Sequence, residues 1–235
     1  MVISGGPPRC PSPTLLEKMA DAAGRSGPNT PGGMSVRTIG PEPSGATPIE
    51  DEEISGLIPE FVATRADLNQ AEFENIAKAL PRVIRRAERE GLDGVLSYGF
   101  MLDLHHRMFA DVWTWAGTLR KRITNIGVDP SQIVMQSRLL FDDARMWHKE
   151  SAFRPDELAV RIHGRLVSIH PFPNGNGRST RLMADLYLTA IGSPMFTWGG
   201  SRLDQEDSGR AAYIRALVSA IETDDYSELV RFARE

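Results

Sequence analysis

The sequence predicts an all-α domain interrupted by one short β-hairpin. From about residue 60 onward, apolar residues recur at spacings of three and four, which places them along one side of a helix. Gly and Pro fall at the breaks between these runs. Only "TLRKRITNIGVDPSQIV" departs from the habit: β-branched residues flank Asn125, Gly127 and Asp129-Pro130, the pattern of a hairpin.

Taken in order, residues 1–55 are rich in Pro, Gly, Ser and Thr. "GRSGPNTPGGMSVRTIGPEPSGATP" shows no sustained period, so this extension is expected to be disordered. Met34 follows Gly32-Gly33, and a start misassigned upstream would leave residues 1–33 outside the natural product. Residues 56–235 are expected to form the domain. Its first helix carries Phe73, Ile76, Ala77, Leu80, Val83 and Ile84 as an apolar stripe, with a kink expected at Pro81. Leu96, Phe100, Leu104 and Met108 repeat the spacing after the Gly91 to Gly94 break. Leu139, Leu140, Ala144 and Trp147 mark a third helix. "RPDELAVRIHGRLVSIH" opens with proline and two acids, as a helix N-terminus should, and aligns Leu158, Ile162, Leu166 and Ile169. "RSTRLMADLYLTAIGSP" continues through Leu186 and stops at Gly192. Two final helices are expected around Tyr213–Ile221 and Tyr226–Phe232.

The chain has 235 residues, 41% of them apolar and 25% charged, enough to bury a sizeable core. Its apolar runs fall well short of the roughly 18 residues that span a bilayer, and no basic segment followed by an apolar run opens the chain. A cytoplasmic protein without membrane contact is the expectation. The single cysteine, Cys10, excludes an internal disulfide framework and a thiolate zinc site. A net charge of −4 gives no overall attraction to nucleic acid.

"HPFPNGNGRSTR", residues 170 to 181, lies between two of the expected helices and holds what a phosphate site needs. Pro171 and Pro173 stop the incoming helix, while Gly175 and Gly177 allow a sharp turn and close approach to a ligand. The outgoing helix directs its free N–H groups and positive dipole end into the loop. Arg178 and Arg181 share a face of that helix and can both reach a polyphosphate. His170 is the side chain in the loop whose ordinary pKa suits general-base work near neutrality. An anion cradle with a base at its rim points to attack by a hydroxyl on a nucleotide phosphate. A tight connection between helices would account for "NGNG" alone, but not for the added His-Pro-Phe and paired arginines.

These twelve residues resemble the signature of Fic-domain proteins, His-Pro-Phe-x-(Asp/Glu/Asn)-Gly-Asn-Gly-Arg-x-x-Arg, with every fixed position filled. The likeness runs from about residue 60 to the C-terminus. "DVWTWAGTLRKRITNIGVDP" resembles the family's flap and "RIHGRLVSIHPF" its central helix. "ATPIEDEEISGLIPEF" and "LNQAEFENI" further resemble the subfamily called mobile mystery protein B. The resemblance implies transfer of AMP from ATP, with Mg2+, to a hydroxyl side chain of a protein. His170 would then be the catalytic base, Gly175, Asn176 and Gly177 would hold phosphate oxygens, and Arg178 and Arg181 the outer phosphates. Asn174 stands where many members have a metal-binding acid, which implies weaker metal binding. The flap, through Thr124, Asn125, Ile126 and Gly127, would pair with an extended segment of the target protein. UTP or a choline-bearing diphosphate is the alternative donor, and a weakly active toxin-and-antitoxin type binding module with a DNA-binding partner is the alternative role.

The family resemblance also implies a brake, a helix bearing (Ser/Thr)-x-x-x-Glu-(Gly/Asn) whose glutamate pairs with the second motif arginine. "QAEFEN" offers Glu74-Asn75 with Gln70 in the Ser/Thr position, so Glu74 is the expected partner of Arg181 and Glu74→Gly is expected to activate. Glu72 lies on the opposite flank of the stripe, and a solvated Glu74 beside Lys78 is the plainer alternative. Other features read as structural: the Arg82, Arg85, Arg86, Arg89 stripe as a solvated face, His163 as a packing or loop-supporting residue, His105-His106 as diverging, and Trp113, Trp115 and Trp147 as core or flap anchors. Tyr213 is either a wall of a base pocket or, more simply, core.

Overall fold

A computed structural model describes residues 49–200 and 208–235. Cys10, Met34 and the extension up to residue 48 lie outside the described residues. The described end of the extension is helical: α1, Asp51–Ile54, is capped by reciprocal bonds between Glu50 and Glu53. Helix α2, Arg65–Val95, starts at Thr64, whose hydroxyl accepts from the Asp67 N–H at 3.2 Å while Asp67 accepts from the Thr64 N–H at 2.8 Å. Then follow α3, Tyr98–Phe109; α4, Ile133–Lys149; α5, Pro155–Ile169; α6, Asn176–Ala190; α7, Ser208–Thr223; and α8, Ser227–Arg234. Helix α6 sits at the centre, packed between α5 and α2 and touching α3. The loop joining α5 to α6 is therefore walled on both sides.

The first helix differs from expectation in two ways. Helical dihedrals run through Pro81, and the break falls at Gly91, with φ 63° and ψ −164°. Gly91 tolerates that backbone and most other residues do not. The buried face is also rotated: Leu68, Ala71, Glu72, Asn75, Ala79, Val83 and Ala87 point inward, whereas Phe73 is 66% exposed. The alanines let α6 approach closely. Asn75 is acceptable inside because it bridges two backbone groups, accepting from the Asp111 N–H at 2.9 Å and donating to the Arg107 carbonyl at 3.3 Å.

The expected hairpin is absent. Among the described residues there is no strand, only an isolated antiparallel bridge between Leu57 and Trp113. Residues 119–128 run as an irregular segment because their bonds go elsewhere than across a ladder. The Arg120 N–H donates to the Pro171 carbonyl at 3.0 Å and the Val128 N–H to the Ile169 carbonyl at 3.4 Å. The two limbs are joined by a side chain, Arg120, which donates to the carbonyls of both Arg122 and Val128. Thr124 turns its hydroxyl onto the Ile126 carbonyl, Ile126 is buried, and Gly127 takes φ 118°. β-branched residues mark an extended backbone; they do not specify its partner.

Candidate active site

His170 ends α5 in the left-handed region, φ 52° and ψ 63°, with its N–H still bonded to the Leu166 carbonyl. That conformation turns the chain sharply into the loop at a residue bearing a Cβ, which costs about 1 kcal/mol or more. The side chain is 6% exposed. Burial, aided by Arg120 and Arg122, pushes its pKa down to about 3, so the ring is neutral at physiological pH.

The loop is held by its own Asn176 and Phe172 and by His105 of α3. Asn176 clasps Phe172 from both ends of its amide: Oδ1 accepts from the Phe172 N–H at 2.9 Å and Nδ2 donates to the Phe172 carbonyl at 2.8 Å. Its side chain is thus occupied in shaping the loop, and what it offers an anion is its N–H at the start of α6. Phe172 is buried and stacks on the His105 ring, centroids 3.7 Å apart. His105 accepts from the Gly117 N–H at Nδ1, 2.9 Å, so its proton lies on Nε2, which donates to the Asn174 carbonyl at 3.0 Å. Burial holds His105 near pKa 3 as well, which keeps that single tautomer. Gly175 must be glycine: φ is 76°, and a Cβ would stand 2.7 Å from the Phe109 ring. The Asn174 side-chain oxygen accepts from the Gly175 N–H at 2.6 Å.

The two arginines face different walls. Arg178 donates to Glu72 Oε2 at 2.7 Å, and its guanidinium lies over the Phe109 ring. Glu72 is 3% exposed, and its other oxygen accepts from Trp113 Nε1 at 2.7 Å. Glu74, the acid favoured from sequence, lies on the exposed side of α2 and accepts from Gln70 at 2.7 Å. Arg181 instead lies over the Tyr213 ring, 5.4 Å from its centroid. Behind it the Tyr213 hydroxyl meets His163 Nε2 at 2.8 Å, His163 Nδ1 meets the Thr180 hydroxyl at 3.0 Å, and Thr180 donates to the Asn176 carbonyl at 2.8 Å. Since Thr180 donates its proton there, Nδ1 of His163 carries the hydrogen and Nε2 accepts from Tyr213. Burial, helped by Arg181, holds His163 near pKa 3 too.

The site gathers His170, Gly175, Asn176, Gly177, Arg178 and Arg181 around one helix start. Among the described residues no group of three or more His, Cys, Asp or Glu could hold a metal ion. Arg120 escaped the sequence reading, while Glu72, Trp113 and His105 were noticed there without these roles. Two of them had a signal: His105 is in register with Met101, Met108 and Phe109, and Glu72 with Leu68, Ala79 and Val83, each a polar residue on an apolar face.

A buried histidine stands beside a helix N-terminus that bears two arginines, and residues 95–188 match the Fic/DOC family. This central stretch, from the end of α2 through most of α6, is what is similar to that family. The family's members are nucleotidyltransferases. The chain is 32% identical over 106 residues to protein adenylyltransferase fic-1 of Caenorhabditis briggsae, a match covering 42% of this chain and 20% of that protein. It is 45% identical over 47 residues to a uridine 5'-monophosphate transferase of Xanthomonas campestris pv. campestris, covering 20% of this chain and 9% of that one. A solved structure of Fic-1 from C. elegans shares the fold with a TM-score of 0.56 and 24% identity, over 78% of this chain and 52% of that one. The alignments span a fifth or less of these curated relatives' length. No helix among the described residues is long and apolar enough to cross a membrane.

Proposed function

We propose that this Fic/DOC chain transfers AMP from ATP to a hydroxyl side chain of a protein and is restrained by its own Glu72. The observation that carries the reading is a buried, neutral His170 at the rim of a helix N-terminus that bears Arg178 and Arg181. The target hydroxyl gives its proton to the His170 ring. Its oxygen bonds to the α-phosphorus, and the bond from that phosphorus to the bridging oxygen breaks, releasing pyrophosphate. N–H groups at the start of α6 and the two guanidiniums receive the phosphate charge.

The loop's own donors do not make a metal centre: Asn174 is neutral and its oxygen already serves Gly175. Mg2+ would arrive with the nucleotide, held by phosphate oxygens. Glu72 restrains the reaction because it occupies the guanidinium of Arg178, which the outer phosphates need. Glu53, in the stretch that resembles mobile mystery protein B, pairs with Arg122 at 2.8 Å. A DNA-binding partner protein of the antitoxin kind is part of the proposal.

A phosphate loop does not read the base, and the 47-residue likeness to a uridine 5'-monophosphate transferase keeps UTP as the second reading. The test is intact mass of wild type, Glu72→Gln and His170→Ala after incubation with ATP or UTP and Mg2+, alone and with lysate. Self-modification or target modification by Glu72→Gln, weaker in wild type and absent in His170→Ala, is expected with ATP. Adducts with UTP alone would replace the donor, and adducts undiminished by His170→Ala would sink the mechanism.

A further inference from the structure

Arg120 is a buried cation, 2% exposed, whose guanidinium is filled by main-chain carbonyls. Nε donates to the His170 carbonyl at 2.6 Å, Nη2 to that of Ile169 at 3.2 Å and to that of Val128, and Nη1 to that of Arg122 at 2.8 Å. Its own N–H donates to the Pro171 carbonyl at 3.0 Å. The carbonyls of Ile169 and His170 close α5, where a helix leaves acceptors unfilled and gathers negative partial charge. A planar fork of donors suits several carbonyls at once, which a lysine does not.

This grip falls on the strained residue. A left-handed conformation at a non-glycine persists only when its surroundings over-determine it. Here Arg120 holds the carbonyl of His170 and those on either side of it, and Gly127 closes the arrangement. A Cβ at Gly127 would stand 2.5 Å from Arg120 Nη2 and 2.8 Å from His170 Cβ. We propose that Arg120 is the positioning residue of the base, fixing the left-handed turn that aims the His170 ring by clamping the end of α5 to segment 119–128. The inference rests on the reading of His170 as base. The charged groups around the pair are Arg122 on that segment and Asp129 just after it; Arg122 adds to the field that keeps His170 neutral, and Asp129 acts on Arg120 in the opposite sense.

The test uses the full chain with labelled histidine and arginine, in wild type, Arg120→Gln and Arg120→Lys, the His170 ring signals being assigned by their loss in His170→Ala. In wild type, Arg120 Nε–H should exchange slowly and couple across its hydrogen bond to the His170 carbonyl. In Arg120→Gln the His170 ring signals should move and its titration midpoint rise. The kcat should fall about tenfold or more while the ATP Kd stays within about twofold, with Arg120→Lys intermediate. Unmoved His170 signals in a folded variant, or a Kd that weakens in step with kcat, would overturn the proposal. If neither variant folds, absence of the coupling in wild type overturns it and its presence supports it. Wild type inert toward every donor would sink the proposed activity, while the ring signals would still decide what Arg120 does.

Discussion

The two walls of the phosphate loop are built on opposite principles. On the α2 and α3 side, Arg178 meets a buried carboxylate, Glu72, itself held by Trp113. On the α5 and α7 side, Arg181 meets a neutral aromatic ring, and behind it Tyr213, His163 and Thr180 pass hydrogen bonds to the backbone of Asn176. A carboxylate competes with a phosphate for the same guanidinium, whereas a tyrosine ring supports the guanidinium without neutralising it. On the proposed reading the charged wall regulates and the neutral wall keeps the loop in shape.

The largest effect should come from discharging the charged wall. Glu72→Gln keeps an oxygen for Trp113 Nε1 but frees Arg178, so ATP affinity, read by calorimetry, should rise about 10- to 100-fold. Glu74→Gln, two residues away on the exposed side, should leave it unchanged. Equal behaviour of the two variants would erase the distinction between the walls.

Which acid faces the loop shows where sequence reading stopped. The anion loop was legible because its chemistry is local: glycines, prolines and arginines within twelve residues determine a turn and a helix start. Helix existence was legible from periodicity, yet the rotation of α2 was not. Phe73 weighed the stripe toward the wrong side, and the true inward face is paved with alanines whose worth lies in letting α6 come close. Glu72 is inside because Trp113 and Arg178, far away in sequence, satisfy both its oxygens. The hairpin failed for a similar reason: a side chain from residue 120 took the carbonyls that a ladder would have used.

The neutral wall should respond in stability rather than in affinity. His163→Leu leaves the buried Tyr213 O–H without its acceptor, while the Thr180 hydroxyl still donates to the Asn176 carbonyl, so urea unfolding should show a loss of about 1 to 3 kcal/mol. A loss below about 1 kcal/mol would mean that the chain of bonds does not hold the loop.

Acid should attack the neutral wall and the loop together. His105, His163 and His170 are held near pKa 3 when folded and return to about 6.5 when unfolded, so the unfolded chain binds more protons below neutrality. Their contribution is fully present above about pH 6.5 and is lost progressively as the pH falls toward 3. Asp185, raised by burial to about 6, works the other way: its contribution is present below its unfolded value of 3.8 and lost as the pH rises through about 6. Three histidines outweigh one aspartate, so urea midpoints should decline steadily from pH 7 to pH 4. A flat profile over that interval would contradict three buried neutral rings.

The smallest effect concerns the residue that holds the charged wall in place. Trp113 is 1% exposed, stacks on Trp115 with centroids 4.7 Å apart, and donates Nε1–H to Glu72. Trp113→Phe retains an aromatic ring in the stack and removes only the donor. Glu72 then keeps its bond to Arg178 but loses the one that fixes its second oxygen, and a carboxylate with rotamer freedom competes less well with a phosphate. Stability should fall by about 1 kcal/mol, and ATP should bind about two- to fivefold more tightly, both well short of the effect of Glu72→Gln. Tightening as large as that of Glu72→Gln would move the restraint from the carboxylate to the indole. No tightening at all would show that Arg178 alone is enough to hold Glu72 where it stands.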